Sequence, residues 1–144
     1  MASGTHAELR TAAGRPPRVA LVDGNRTSTM LLTVLCEAFG CWPLPVRSAE
    51  AALALIRRDD LIDLVLVDLA LTDMDAIVVV QLIRTLGREF PILGLAGNRS
   101  DVSWMRSRAA GLTSVLSKPF SPSELYDAMV SALGKAASAH WSTR

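Results

Sequence analysis

Three charged side chains stand directly behind short strand-like runs: Asp23 after Val19–Val22, Asp68 after Leu64–Val67, and Lys118 after Val115–Ser117. Two carboxylates brought together make a hard-oxygen site suited to Mg²⁺, which takes one or two carboxylates and completes its shell with water and phosphate. An aspartate can also attack phosphorus and carry the phosphoryl group as an acyl phosphate. That step needs the incoming charge neutralised, which a divalent cation and a nearby lysine can do. One aspartate in such a place reads as a solvated strand-end charge. Two acids and a base behind three separate runs read as a site.

The elements that would bring these groups together follow from periodicity. Val19–Val22 is a short apolar strand closed by the turn cluster Asp23-Gly24-Asn25. A helix follows, predicted to present Leu31, Val34, Leu35 and Ala38 on its apolar face and to stop at Gly40. Trp42–Val46 reads as a strand whose Pro43 and Pro45 confine it to a sheet edge, because proline cannot donate to a ladder. Ser48 caps a second helix that ends in Arg57-Arg58, charges suited to its C-terminal dipole. Leu64–Val67 is a strand buried on both faces.

The run Ile77–Val80 is β-branched and favours strand on propensity alone. We read 77–84 as a helix nonetheless, since parallel strands need a crossover there and Gly87 supplies a stop. Ile92–Leu95 and Val115–Ser117 are the remaining strands, separated by a helix over about Asp101–Ala110 that Gly111 ends. The final helix opens with Ser121, Pro122 and Glu124, a capping-box signature, and is predicted to end near Leu133.

Five β-α units predict an α/β fold: a doubly wound, five-stranded parallel sheet with five helices covering both faces. Such sheets hold ligands at the carboxyl ends of the strands, near the reversal of strand order. Those ends carry Asp23, Asp68, Ala96-Gly97 and Lys118. Residues 1–17 read as a flexible N-terminal arm, 18–134 as the single domain, and 135–144 as a C-terminal tail.

Composition narrows the classes. The 144 residues carry 15 Lys+Arg against 14 Asp+Glu, a net charge of +1, which lacks the basic surplus of a nucleic-acid binder. No apolar stretch approaches the roughly 20 residues that span a bilayer, and Met1–Pro17 has no apolar h-region, so a soluble, cytoplasmic protein is expected. Cys36 and Cys41 make neither a disulfide framework nor a zinc site and read as small hydrophobes. The two histidines, His6 and His140, lie near the chain ends, which excludes charge-relay hydrolases, histidine zinc enzymes and histidine phosphotransfer modules. No Gly-rich phosphate loop follows the first strand, which leaves a cofactor enzyme without support.

Over about Arg18–Leu133 the sequence resembles the receiver domain of two-component response regulators. The residues that carry the likeness are Val19–Asp23, Asp63–Asp68, Met74-Asp75, Pro91-Ile92 and Lys118-Pro119-Phe120, in this order and spacing. The resemblance implies a flavodoxin-like sheet of strand order 2-1-3-4-5 and a CheY-like signalling domain, not an enzyme, that takes a phosphoryl group from the phosphohistidine of a sensor histidine kinase or a phosphotransfer protein in a Mg²⁺-dependent phosphorelay. By position, Asp68 would be the phosphoacceptor and Lys118 the phosphate contact. Asp23, Asp68 and the backbone carbonyl of Ala70 would hold the metal.

Several positions depart from the family pattern. Gly24 stands where a second acidic ligand is usual, so Mg²⁺ binding should be weak, and position 24 is one where a glycine-only backbone conformation could be in use. Asn25 reads as a turn residue or helix cap. Ala96 replaces the switch hydroxyl and Val115 the switch aromatic; Thr72 and Ala76 replace the usual proline and glycine. Trp104 and Tyr126, with Arg106 and Arg108, would lie on the family's output face and could anchor a downstream protein. Val78 and Leu82 make an apolar outer face on the third helix that could serve a homodimer or another partner. Two functions follow: a stand-alone phosphoacceptor, or a degenerate pseudo-receiver that binds partners without phosphorylation.

Overall fold

The computed structural model describes residues 6–97 and 108–142, with side chains as far as residue 134. Along the chain run β1 (Arg18–Val22), α1 (Arg26–Ala38), β2 (Trp42–Val46), α2 (Ala49–Arg58), β3 (Leu64–Asp68), α3 (Ala76–Thr85) and β4 (Ile92–Ala96). A helix whose described part is 108–110 (α4) leads to β5 (Ser114–Ser117) and α5 (Pro122–Ser142). The five strands are all parallel, in the order β2-β1-β3-β4-β5. The proline-bearing β2 takes one edge, as expected, and the order reverses between β1 and β3.

Strand alternation sorts the core by residue shape. Val19 and Leu21 of β1, Leu64 and Leu66 of β3, and Leu93 and Leu95 of β4 face α1 and α5, where they meet Leu32, Cys36, Leu125 and Met129. Their neighbours Ala20, Val22, Val65 and Val67 face α2 and α3 and meet Ala52, Ile56, Val80 and Ile83. Both faces are covered, so β3 and β4 are buried at every position. The β-branched run expected to be helical is helical: Asp75 caps α3 by accepting from the Ile77 N–H, and Val79, Val80 and Ile83 are buried. Val78 and Leu82 remain partly exposed on the outer face.

Two expectations about helices are corrected. In α1 the buried residues are Thr29, Leu32 and Cys36; Leu31, Val34 and Ala38 point outward and Leu35 is half-buried. The apolar pairs Leu31-Leu32 and Leu35-Cys36 satisfy either of two faces offset by one residue. The N-terminus decides between them: Asn25 accepts from the Ser28 N–H, and the Thr29 hydroxyl reaches back to the carbonyls of Asp23 and Asn25. The second correction is that α5 does not stop near Leu133 but continues through Gly134 to Ser142. A helical glycine costs about 1 kcal/mol and ends a helix only when it turns left-handed, which Gly134 does not. The capping box at its start forms as expected, with Ser121 and Glu124 exchanging bonds at 2.8 and 3.1 Å.

The stretch expected as a flexible arm is anchored along its described length. The Leu9 side chain is buried with Phe39 and Cys36, and its N–H donates to the Phe39 carbonyl at 2.8 Å. Gly40 lets this crossing occur: it has φ +84°, and a Cβ there would lie 2.9 Å from that of Glu8. Upstream, the Tyr126 hydroxyl donates to the Ala7 carbonyl at 2.6 Å and the His6 ring lies 4.5 Å from the tyrosine ring. Downstream, Arg15 grips Asp63 with two bonds of 2.9 Å. Sequence periodicity missed this because one leucine and a few polar contacts make no periodic pattern. Leu9→Ala should therefore cost about 2–3 kcal/mol in urea denaturation, whereas a free arm would give no change.

Candidate functional site

Val22 pairs with Val67, so Asp23 and Asp68 emerge side by side at the reversal of strand order. Asp23 is fully buried. Its Oδ1 accepts from the Asn25 N–H at 2.8 Å, and its Oδ2, also buried, has no hydrogen-bond partner among the described residues. Asp68 is 8% exposed. Its Oδ1 accepts from the Ala70 N–H at 2.9 Å, and its Oδ2 lies 3.6 Å from Lys118 Nζ. Lys118 is placed by its own N–H, which donates to the Ala96 carbonyl at 2.7 Å, and precedes a cis peptide to Pro119.

The three groups singled out in the sequence thus meet in one place. Burial raises the Asp23 pKa above the ordinary carboxylate value, and the neighbouring Asp68 charge adds to the rise; the Asn25 N–H and Lys118 oppose it. Among the described residues Lys118 supplies one positive charge against two carboxylates, so the pair is under-compensated there. Beside it opens a cavity of about 350 Å³ lined by Gly24, Asn25, Asp68, Ala70, Leu71 and Thr72. A second, of about 280 Å³, is bounded by Asp23, Lys118 and the apolar Leu31, Leu32, Leu95 and Phe120.

A divalent cation fits this donor set. Asp23 Oδ2 is a buried anionic oxygen without a donor, and Asp68 offers a second carboxylate within the same pocket. Among the described residues no three His, Cys, Asp or Glu side chains converge for a metal, consistent with a site of two carboxylates that would rely on water and backbone oxygen. The side chain of Asn25 is engaged as the α1 cap. Gly24 has no left-handed φ, which corrects the expectation of a glycine-only conformation, and a Cβ there would meet only the Arg47 carbonyl oxygen, at an ordinary 3.5 Å.

The remaining candidates fare differently. Ala96 is buried at the end of β4 and brings no hydroxyl to the pocket, and Val115 is half-buried against the α2–α3 side of the sheet. Tyr126 is half-buried: His6 and Phe39 pack on its ring and its hydroxyl donates to the Ala7 carbonyl. Trp104 and Arg106 lie outside the described residues, and Arg108 is exposed. Both cysteines are buried, and burial pushes the Cys41 thiol up to about 12 and Cys36 upward as well. One residue was missed. Asp73 accepts from the Ala49 N–H with both oxygens, at 3.2 and 3.0 Å, and no sequence spacing signals a bond between a carboxylate and a backbone N–H 24 residues away.

Fold and site together define a doubly wound α/β domain with an acidic pocket at the carboxyl ends of its strands. Residues 19–130 match the response regulator receiver domain, and the chain belongs to that family. It is 26% identical over 124 residues to the transcription factor SKN7 of Candida albicans, covering 85% of this chain and 22% of that protein. To the regulatory protein VanRc of Enterococcus gallinarum it is 28% identical over 108 residues, 75% of this chain and 46% of that one. The chain therefore spans under half the length of these relatives. Among solved structures it superposes on the chemotaxis response regulator CheY4 of Vibrio cholerae with a TM-score of 0.76 at 22% identity, covering 81% of this chain and 98% of that one. A two-component response regulator from Clostridium difficile gives 0.77 at 22%, covering 83% and 98%. Among the described residues no helix is long and apolar enough to cross a membrane.

Two predictions follow from the under-compensated pair. A raised folded pKa means that the native state holds the extra proton, so stability falls as pH rises from the unfolded Asp value through the folded one. Asp23→Asn should accordingly raise the melting temperature of the metal-free protein at pH 7 by a few degrees and abolish its response to Mg²⁺; an unchanged or lower value would contradict the electrostatic account. Gly24→Asp should be accommodated without backbone strain, lower the melting temperature in chelator and tighten Mg²⁺ binding, measured by titration of the thermal shift.

Proposed function

We propose that Asp68 accepts a phosphoryl group from the phosphohistidine of a sensor kinase or phosphotransfer protein, in a Mg²⁺-dependent step, and that the domain then signals through protein contacts. The observation that carries this reading is the state of the Asp68 carboxylate. One oxygen is held by the Ala70 N–H, the other faces Lys118 at 3.6 Å, and the buried, unpartnered Asp23 Oδ2 stands beside it. A bound Mg²⁺, held by Asp23, Asp68 and the Ala70 carbonyl, would supply positive charge to the phosphoryl oxygens. In the transfer a carboxylate oxygen of Asp68 forms the new P–O bond as the donor's P–N bond breaks, and the imidazole leaves. The Ala70 N–H keeps the carboxylate oriented, and the Lys118 ammonium offsets charge on the incoming group.

With Gly24 in place of an acid, metal affinity is expected to be low. The apolar cavity between Leu31 and Phe120, which also borders Lys118, offers a surface against which a donor protein could seat beside the acceptor. We place the protein in the cytoplasm, where such donors act, and assign it no enzymatic turnover beyond assisting its own phosphotransfer.

A second reading is favoured by a specific observation. The buried Ala96 cannot offer the pocket a hydroxyl, so the contact that would distinguish the phosphorylated state is missing there. In that reading the domain is a pseudo-receiver that binds partners whatever the state of Asp68. Intact mass separates the two. After incubation with acetyl phosphate and millimolar Mg²⁺, and in a second arm with a phosphorylated histidine phosphotransfer domain, the wild type should gain one phosphoryl group and Asp68→Asn none. Unchanged mass in both arms would favour the pseudo-receiver.

A further inference from the structure

We propose that Asp73 is a positioning residue for the phosphoacceptor site: its carboxylate fastens the loop that carries Ala70 to the N-terminus of α2, and so holds one wall of the site in place. The inference rests on the reading of Asp68 as phosphoacceptor for its chemical consequence, but the tie itself is structural and can be tested separately.

The start of α2 has two caps from different parts of the chain. Ser48 accepts from the Ala51 N–H at 3.0 Å, which is the local cap expected from sequence. Asp73 serves a different donor, the Ala49 N–H, and reaches it from the loop between β3 and α3. A carboxylate at a helix N-terminus also gains from the dipole. The turn 46–49 that receives this bond touches the other half of the site as well. The Val46 carbonyl accepts from the Asp23 N–H at 3.2 Å, and the Arg47 carbonyl oxygen faces Gly24. Asp23 is thus joined to the turn, the turn to Asp73, and Asp73 to the loop that begins at Asp68.

Asp73 adds a polar tie to a loop that otherwise packs through apolar side chains. Leu69 and Leu71 are half-buried on the α2–α3 side, and Asp75 is committed to capping α3. Between them run Thr72, Asp73 and Met74, of which Met74 packs on the same core, and no proline stiffens the backbone. Ala70 and Thr72 line the 350 Å³ cavity opposite Gly24 and Asn25, and the Ala70 N–H orients Asp68. Releasing Asp73 would free the loop segment nearest those contacts, and each backbone residue so freed gains conformations that the transfer geometry excludes.

The alternative is that Asp73 merely caps α2. Ser48→Ala is the control, since it removes a cap from the same helix and leaves the loop tied. The 144-residue chain would be followed by amide hydrogen exchange at Ala70 without metal and, once acetyl phosphate and Mg²⁺ are added, by the rate of Asp68 labelling. Asp73→Ala should speed exchange at Ala70 and slow labelling, each by about tenfold, the worth of one charge-assisted hydrogen bond. Asp73→Asn, which keeps one acceptor oxygen, should recover part of both. Ser48→Ala should lower the melting temperature comparably yet leave Ala70 exchange within about twofold of wild type. Asp73 is exposed, so Asp73→Ala removes the bond without opening a cavity in the core. Unchanged Ala70 exchange in Asp73→Ala, or equal acceleration in Ser48→Ala, would overturn the proposal. A wild type that takes no label would remove the phosphoacceptor reading, while the exchange comparison would still decide the tie.

Discussion

The structure turns on a pair of carboxylates that the described residues do not neutralise. Among the described residues Asp23 is wholly buried with one oxygen lacking a donor, Asp68 lies beside it, and the Lys118 ammonium stands 3.6 Å from the second acid. Burial without full compensation is unfavourable for a charged group, and a fold selected for stability alone would have replaced or paired Asp23. Keeping it makes sense where the missing positive charge arrives from outside, as the cation that the proposed phosphotransfer would use. The strain is electrostatic and local, the kind of cost that functional sites carry.

Everything around the pair serves to hold it there. The reversal of strand order brings the ends of β1 and β3 together, and parallel pairing sets Val22 opposite Val67 so that the acids emerge at one level. Two cores, leucine-rich on the α1–α5 side and valine- and alanine-rich on the α2–α3 side, clamp the sheet from both faces. Backbone N–H groups then set the carboxylates individually: Asn25 for Asp23, Ala70 for Asp68. The anchored N-terminal stretch lies on the α1–α5 side, with Asp63 beneath the sheet as its far attachment, and it occupies the face that Tyr126 would otherwise offer.

The sequence was most legible where chemistry and periodicity coincide. Asp23, Asp68 and Lys118 could be found because each ends a strand, and β3 could be read from an unbroken apolar run closed by an acid. The α3 run Ile77–Val80 shows topology overruling propensity: the crossover demanded a helix, and a helix forms. Reading failed where two registers were equally apolar, as in α1, and where a residue's partner is remote. Leu9 with Phe39 and Asp73 with Ala49 leave no trace in local spacing, because their geometry is made by the folded sheet. Glycine misled twice. Gly134 does not end α5, and Gly24 needs no special backbone; what Gly24 changes is the number of carboxylates in the pocket.

The central claim is that Asp23 carries an uncompensated buried charge that a cation relieves. Carboxyl carbon shifts of Asp23 and Asp68 followed by NMR against pH, in metal-free protein and again with Mg²⁺, measure this most directly. The account predicts that Asp23 titrates above the ordinary aspartate value without metal and that Mg²⁺ moves its midpoint downward. An Asp23 that titrates at the ordinary value and does not respond to Mg²⁺ would contradict it.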